Sequence, residues 1–121
     1  ARMLRELVVQ AAADDAQAVV TGDFNVDQEH DLHRLLVSDG LVSDAVDTAP
    51  EAGVADADVD TFHFYRGVRR GGRRIDWILH TPGLTTLAVA PNTWAPGGVF
   101  PSDHFPVQAH LQWAADAPAA E

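Results

Sequence analysis

The chain has 121 residues, no cysteine and a formal net charge of -10 at pH 7. That length supports one domain with a modest core. The missing cysteine excludes disulfides and thiolate metal sites, and the acidic total argues against non-specific binding to nucleic acid or to an anionic membrane surface. A hydrophobic content of 46% is that of a soluble globular chain. No apolar run is long enough to span a membrane. The compartment stays open on composition.

The first element is amphipathic, with Met3, Leu4, Leu7, Val8 and Ala11 at helical spacing, and should run to about Asp14. No cap precedes it and no signal peptide is visible, so the chain is expected to start at or inside a helix. Ala18–Thr21 reads as a short buried strand stopping at Gly22, followed by a Gly22–Asn25 loop. Asn25 or Asp27 can cap a second helix with Glu29 and Asp31 in its first turn. Its stripe is Leu32, Leu35 and Leu36, its stop is Gly40, and His30 and His33 fall on its exposed side. Leu41–Val46 is extended or helical. Thr48–Asp60, rich in Ala, Asp, Pro and Gly, is a surface loop.

Thr61–Tyr65 is aromatic and β-prone. Arg73–His80 alternates as a strand, with Ile75, Trp77 and Leu79 on one face and Asp76, Ile78 and His80 on the other. Leu84–Ala90 is a further strand, and Asn92–Pro101 is a loop that leads to Ser102-Asp103-His104. From His104 onward Phe105, Val107, Ala109, Leu111 and Trp113 share one face of a last strand. The domain is expected over 1–113, with 114–121 as a frayed tail.

All eight basic residues are arginines, and five of them (Arg66, Arg69, Arg70, Arg73 and Arg74) fall in one short run. The acids Asp44, Asp47, Glu51, Asp56, Asp58 and Asp60 crowd the segment before it. Such a loop is either a solvated arginine-rich turn or a local anion clamp. An arginine-rich, lysine-free composition also points to a GC-rich bacterial source. Three polar insertions stand beside strands: Gly22-Asp23-Phe24-Asn25, Arg74-Ile75-Asp76-Trp77-Ile78 and Ser102-Asp103-His104. Each alone is ordinary turn, cap or ion-pair chemistry. Their joint occurrence, in this order, is not.

VVTGDFNVD, RRIDWIL and FPSDHFPV resemble three C-terminal motifs of the endonuclease/exonuclease/phosphatase (DNase I-like) superfamily, and Thr61-Phe62-His63 resembles its Thr-Phe step. The resemblance runs from Arg2 to about Leu111. It implies an α+β fold: half of a four-layer α/β/β/α sandwich, with a mixed, mostly antiparallel sheet and helices on one face. It also implies metal-dependent hydrolysis of a phosphate ester, as a phosphodiesterase, nuclease or phosphatase. Asp23 would orient or deprotonate the attacking water, and Asn25 would donate a hydrogen bond to the scissile phosphate. His104 would stabilise the developing charge, and Asp76 would accept a proton from its ring and fix its tautomer. Asp103, with Asp23 and Asn25, would hold Mg²⁺ or Mn²⁺, which takes hard oxygen donors. Arg69, Arg70 and His63 are candidates for contact with the substrate phosphate.

Only the second half of the family pattern is matched. The Gln-Glu motif that carries the principal metal ligand belongs to the first half, and Gln28-Glu29 lies in the wrong context to replace it. The chain alone is therefore expected to be inactive or nearly so. Its inner sheet face would need the first half of the domain, or a second copy, as partner. The competing reading is a non-catalytic anion-binding or interaction module on the same fold; the full set of Asp23, Asn25, Asp76, Asp103 and His104 exceeds what binding requires. A nucleic-acid substrate fits the net charge less well than a small phosphate ester.

Overall fold

An alternating strand needs cover on at least one face, and the chain supplies it with its first two helices. The computed structural model describes residues 1–116. In chain order these form α1 (Arg2–Ala13), β1 (Val19–Asp23), α2 (Asp31–Val37), β2 (Ser43–Asp44), α3 (Ala45–Thr48), β3 (Asp76–His80), β4 (Leu84–Pro91) and β5 (Val107–Trp113). Short 3-10 turns cover Glu51–Gly53, Pro96–Gly98 and Ala114–Asp116. β3 lies between β1 and β2 in one sheet, β4 and β5 form a second, and all these strand pairs are antiparallel.

The face of β3 that carries Trp77 and Leu79 is buried with Val8 of α1, Leu36 of α2 and Val42, and partly buried Leu4, Val20, Phe24 and Leu32 close the core. Phe24 stacks on Trp77 at 4.4 Å between ring centroids. Burial of side chains this size contributes about 1.5–3 kcal/mol each, enough to fix which face of β3 points inward. The other face carries Asp76, Ile78 and His80. His80 is also buried, and its Nε2 lies 2.9 and 3.2 Å from the hydroxyls of Thr48 and Thr86, a polar cluster that ties β3 to β4. Its Nδ1–H donates to the Thr81 carbonyl.

Several expectations are corrected. α2 starts at Asp31, because Asn25 takes a left-handed φ of 60° and Asp27 accepts the Glu29 amide in a turn; His30 Nδ1 caps the helix by accepting from Leu32 N–H at 3.0 Å. Leu35 is 61% exposed, so the stripe of α2 is Leu32 and Leu36. His33 is buried, not solvated. Leu41–Val46 is both extended and helical, switching at Asp44, whose carboxylate caps α3. β1 is not a buried strand: Val19, Thr21 and Asp23 are exposed on the face away from α1. Thr61–Tyr65 makes only one bridge, Phe62 to His104, because Phe64 and Tyr65 adopt φ of 57° and 61°.

β5 begins at Val107 and not at His104. Pro106 has no N–H to give to a ladder, and its carbonyl accepts instead from Asn92 N–H at 2.7 Å. Trp113, at the end of that strand's apolar face, is 57% exposed. Of the expected frayed tail, Ala114–Asp116 is a 3-10 turn whose Ala114 N–H donates to Gly83; residues 117–121 lie outside the described part. No helix among the described residues is long and apolar enough to cross a membrane.

Candidate active site

Three backbone segments converge on one end of the first sheet. In the β1–β3 ladder, Asp23 lies directly opposite Asp76. Like charges in that position repel, and the Ser102–Phe105 segment brings an imidazole between them. Phe105 N–H donates to the Thr61 carbonyl, His63 N–H donates to the Asp103 carbonyl, and Phe62 bridges His104. His104 N–H is taken by Ser102 Oγ. The imidazole of His104 is thereby set between the two carboxylates, its Nδ1–H donating to Asp76 Oδ2 at 2.8 Å and its Nε2 3.7 Å from Asp23 Oδ2.

That geometry fixes the ring's electronics. Burial alone would pull the His104 imidazole down, but the hydrogen bond to Asp76 and the charges of Asp76, Asp23 and Asp103 outweigh it and raise its pKa above the ordinary histidine value. With Nδ1–H committed to Asp76, Nε2 is the atom turned toward Asp23. Asp23 itself accepts the Asn25 backbone N–H through Oδ1 at 2.8 Å, in a turn where Asn25 takes a left-handed φ of 60°. Its Oδ2 stays on the site side. An open groove of about 410 Å³ runs past Asp23, Asp76, Ser102 and His104.

The ligand atoms of Asp23, Asp76 and His104 lie within 4.8 Å of one another, a group that could hold a metal ion. Asp103 is half-buried beside His104, outside that group. Asn25 is exposed at the loop after β1. Arg69 and Arg70 are exposed, and Arg70 is neutralised by Asp58 at 2.7 Å and Asp56 at 3.1 Å, which raise its pKa. The acidic run before the arginine loop thus serves as its counter-charge. His63 is 2% exposed and stacks on Phe105 at 4.0 Å.

Two features escaped sequence reasoning. Thr61 is fully buried, and its Oγ1 accepts from Ile75 N–H at 2.9 Å and Asp76 N–H at 3.3 Å while its carbonyl holds Phe105. One threonine therefore sets the spacing between Asp76 and His104. The second is a buried network: Asp44 accepts from His33 Nε2–H at 2.8 Å and from Arg74 at 3.4 Å, and Trp77 Nε1–H donates to the Arg74 carbonyl at 2.7 Å. Gln28 clasps the same strand entry, donating to the Gly72 carbonyl at 2.6 Å and accepting from Arg74 N–H at 3.0 Å. These two bonds tie the turn before α2 to the segment that leads into β3.

A family model described as the Endonuclease/Exonuclease/phosphatase family matches residues 1–104. A solved mannosyl-6-phosphatase from Bacteroides thetaiotaomicron superposes with a TM-score of 0.73 at 23% identity, covering 92% of this chain and 43% of its own. A family protein from the same species gives 0.73 at 22% identity, over 98% of this chain and 44% of its own. One from Bacteroides vulgatus gives 0.72 at 29% identity, over 90% and 42%. No curated protein is a significant match. The likenesses establish an α+β, DNase I-like fold, and this chain spans about two fifths of the length of these structures.

Proposed function

Because the chain belongs to the endonuclease/exonuclease/phosphatase family, we propose that it is the part of a metal-dependent phosphoesterase that carries the water-activating and charge-stabilising groups. The observation that supports this best is the His104 imidazole held between Asp76 and Asp23 with its pKa raised. A divalent ion would neutralise charge on the non-bridging phosphate oxygens. Asp103, with Asp23 and Asn25, is the set proposed to hold Mg²⁺ or Mn²⁺, and carboxylate and amide oxygens are suitable donors for either.

The chain's own residues then divide the work. Asp23 Oδ2 orients the attacking water and takes its proton. Asn25 donates its side-chain amide to the phosphate. His104 approaches a phosphate oxygen through Nε2–H in its charged form and stabilises the charge that develops there. Asp76 keeps the ring in that orientation and favours its protonation. The remainder of the domain, or a second copy, would cover the exposed Val19–Asp23 face and complete the metal shell, so the 121-residue chain alone should turn over little or nothing. A small phosphate ester suits a 410 Å³ groove on a chain of charge -10 better than an extended nucleic acid does. One structurally similar protein is a mannosyl-6-phosphatase, which supports the same substrate class.

The test is Asp23→Ala and His104→Ala in the full-length domain. Both should abolish metal-dependent hydrolysis and leave the unfolding curve largely unchanged. Retained activity in either variant removes the role given to that residue.

A further inference from the structure

His63 is the side chain among the described residues whose surroundings its known contacts do not explain. It is 2% exposed, and neither ring nitrogen has a hydrogen-bond partner among the described residues. Buried polar atoms are nearly always paired, so an imidazole left in this state points to a group that completes it. The residue is held firmly: its ring stacks on Phe105 at 4.0 Å and meets Phe100 at 4.8 Å, and its backbone N–H donates to the Asp103 carbonyl. It cannot swing out to find water without unpacking the segment that carries His104.

The same residue lines a small, partly open cavity of about 80 Å³, shared with Asn92, Trp94, Phe100, Ser102 and His104. One water needs only about 10–15 Å³ measured in this way, so the space is several times larger. It also adjoins the phosphate groove, since Ser102 and His104 line both. A neutral imidazole has one nitrogen that donates and one that accepts. A hydroxyl has the same dual capacity. A phosphate oxygen, which only accepts and carries charge, matches a buried neutral imidazole poorly.

We propose that this cavity is the subsite for a hydroxyl-bearing alcohol portion of the phosphate ester, and that His63 hydrogen-bonds that hydroxyl. The phosphoryl group would lie at His104 in the groove, and a carbon one or two bonds from the ester oxygen would reach into the cavity. Trp94, which lines the cavity and is 66% exposed, would cover the C–H groups of such a polyol. The inference rests on the phosphoesterase reading and changes the part given to His63, from contact with the phosphate to recognition of the alcohol.

The experiment is an imidazole ¹⁵N–¹H spectrum of the ¹⁵N-histidine-labelled full-length domain, titrated with inorganic phosphate and, separately, with glycerol 3-phosphate, Mg²⁺ being present throughout. Glycerol 3-phosphate should shift both the His63 and the His104 nitrogens, and inorganic phosphate only those of His104. His63→Phe, which keeps a ring in the stack, should weaken glycerol 3-phosphate about threefold to tenfold, the worth of one neutral hydrogen bond. It should leave phosphate affinity unchanged, and His63→Gln should restore part of the loss. If His104 responds to both ligands and His63 to neither, the cavity holds water only and the inference falls while the phosphate site stands. If neither ring responds to either ligand, both readings fall together. The wild-type titration decides even if a variant does not fold.

Discussion

Replacing Asp44 with alanine tests the buried network more sharply than any core truncation. Asp44 is 1% exposed and accepts three hydrogen bonds: from His33 at 2.8 Å, from the Val46 amide at 2.9 Å and from Arg74 at 3.4 Å. Alanine leaves the guanidinium of Arg74, itself 8% exposed, without its counter-charge. Breaking a buried ion pair from one side costs about 3–5 kcal/mol, and the lost cap of α3 adds about 1 kcal/mol. Against a total stability of about 5–15 kcal/mol for a typical domain, the variant should lose from about a third to all of it. Urea unfolding followed by far-ultraviolet circular dichroism measures this directly. Glu29→Ala, at an exposed position, is the control and should stay within about 0.5 kcal/mol of the parent. An Asp44→Ala midpoint within about 1 kcal/mol of the parent would show that the network contributes no net stability, and the reasoning would fail.

Two further outcomes follow from the site and its frame. Asp76→Asn in the full-length domain removes one of the groups that hold the His104 pKa up. kcat/KM should drop by about 10²–10⁴-fold. The alkaline limb of its pH profile should move to lower pH, because the imidazolium is lost earlier as pH rises; an unmoved limb would detach His104 from that limb. Gly53→Ala should destabilise by about 1–3 kcal/mol in the same urea assay, since its new Cβ would stand 2.2 Å from the Leu87 carbonyl oxygen. A neutral result would mean that the Glu51–Gly53 turn yields freely beside β4.

What the sequence disclosed and what it hid divide along one physical line. Periodicity shows which residues share a face, so Trp77 and Leu79 were assigned together, and so were Asp76, Ile78 and His80. It does not show which faces find cover. Val19, Leu35 and Trp113 are apolar and in register, yet each is exposed. His33 shows the converse. Its polarity reads as solvent-facing, but Asp44, eleven residues on, provides a buried partner, and Trp77 receives its ring edge-on at 4.8 Å. Short motifs placed Asp23, Asp76 and His104 close to one another, and they are. They could not reveal that Thr61 sets the distance between two of them, because that role depends on a side-chain oxygen reaching two amides across a loop.

The measurement that bears most directly on the central claim is hydrolysis of bis(4-nitrophenyl) phosphate by the full-length domain, with Mg²⁺ or Mn²⁺ and again with excess chelator. Turnover should require the metal and disappear in His104→Ala. Turnover that persists in chelator, or in a folded His104→Ala protein, would contradict that claim.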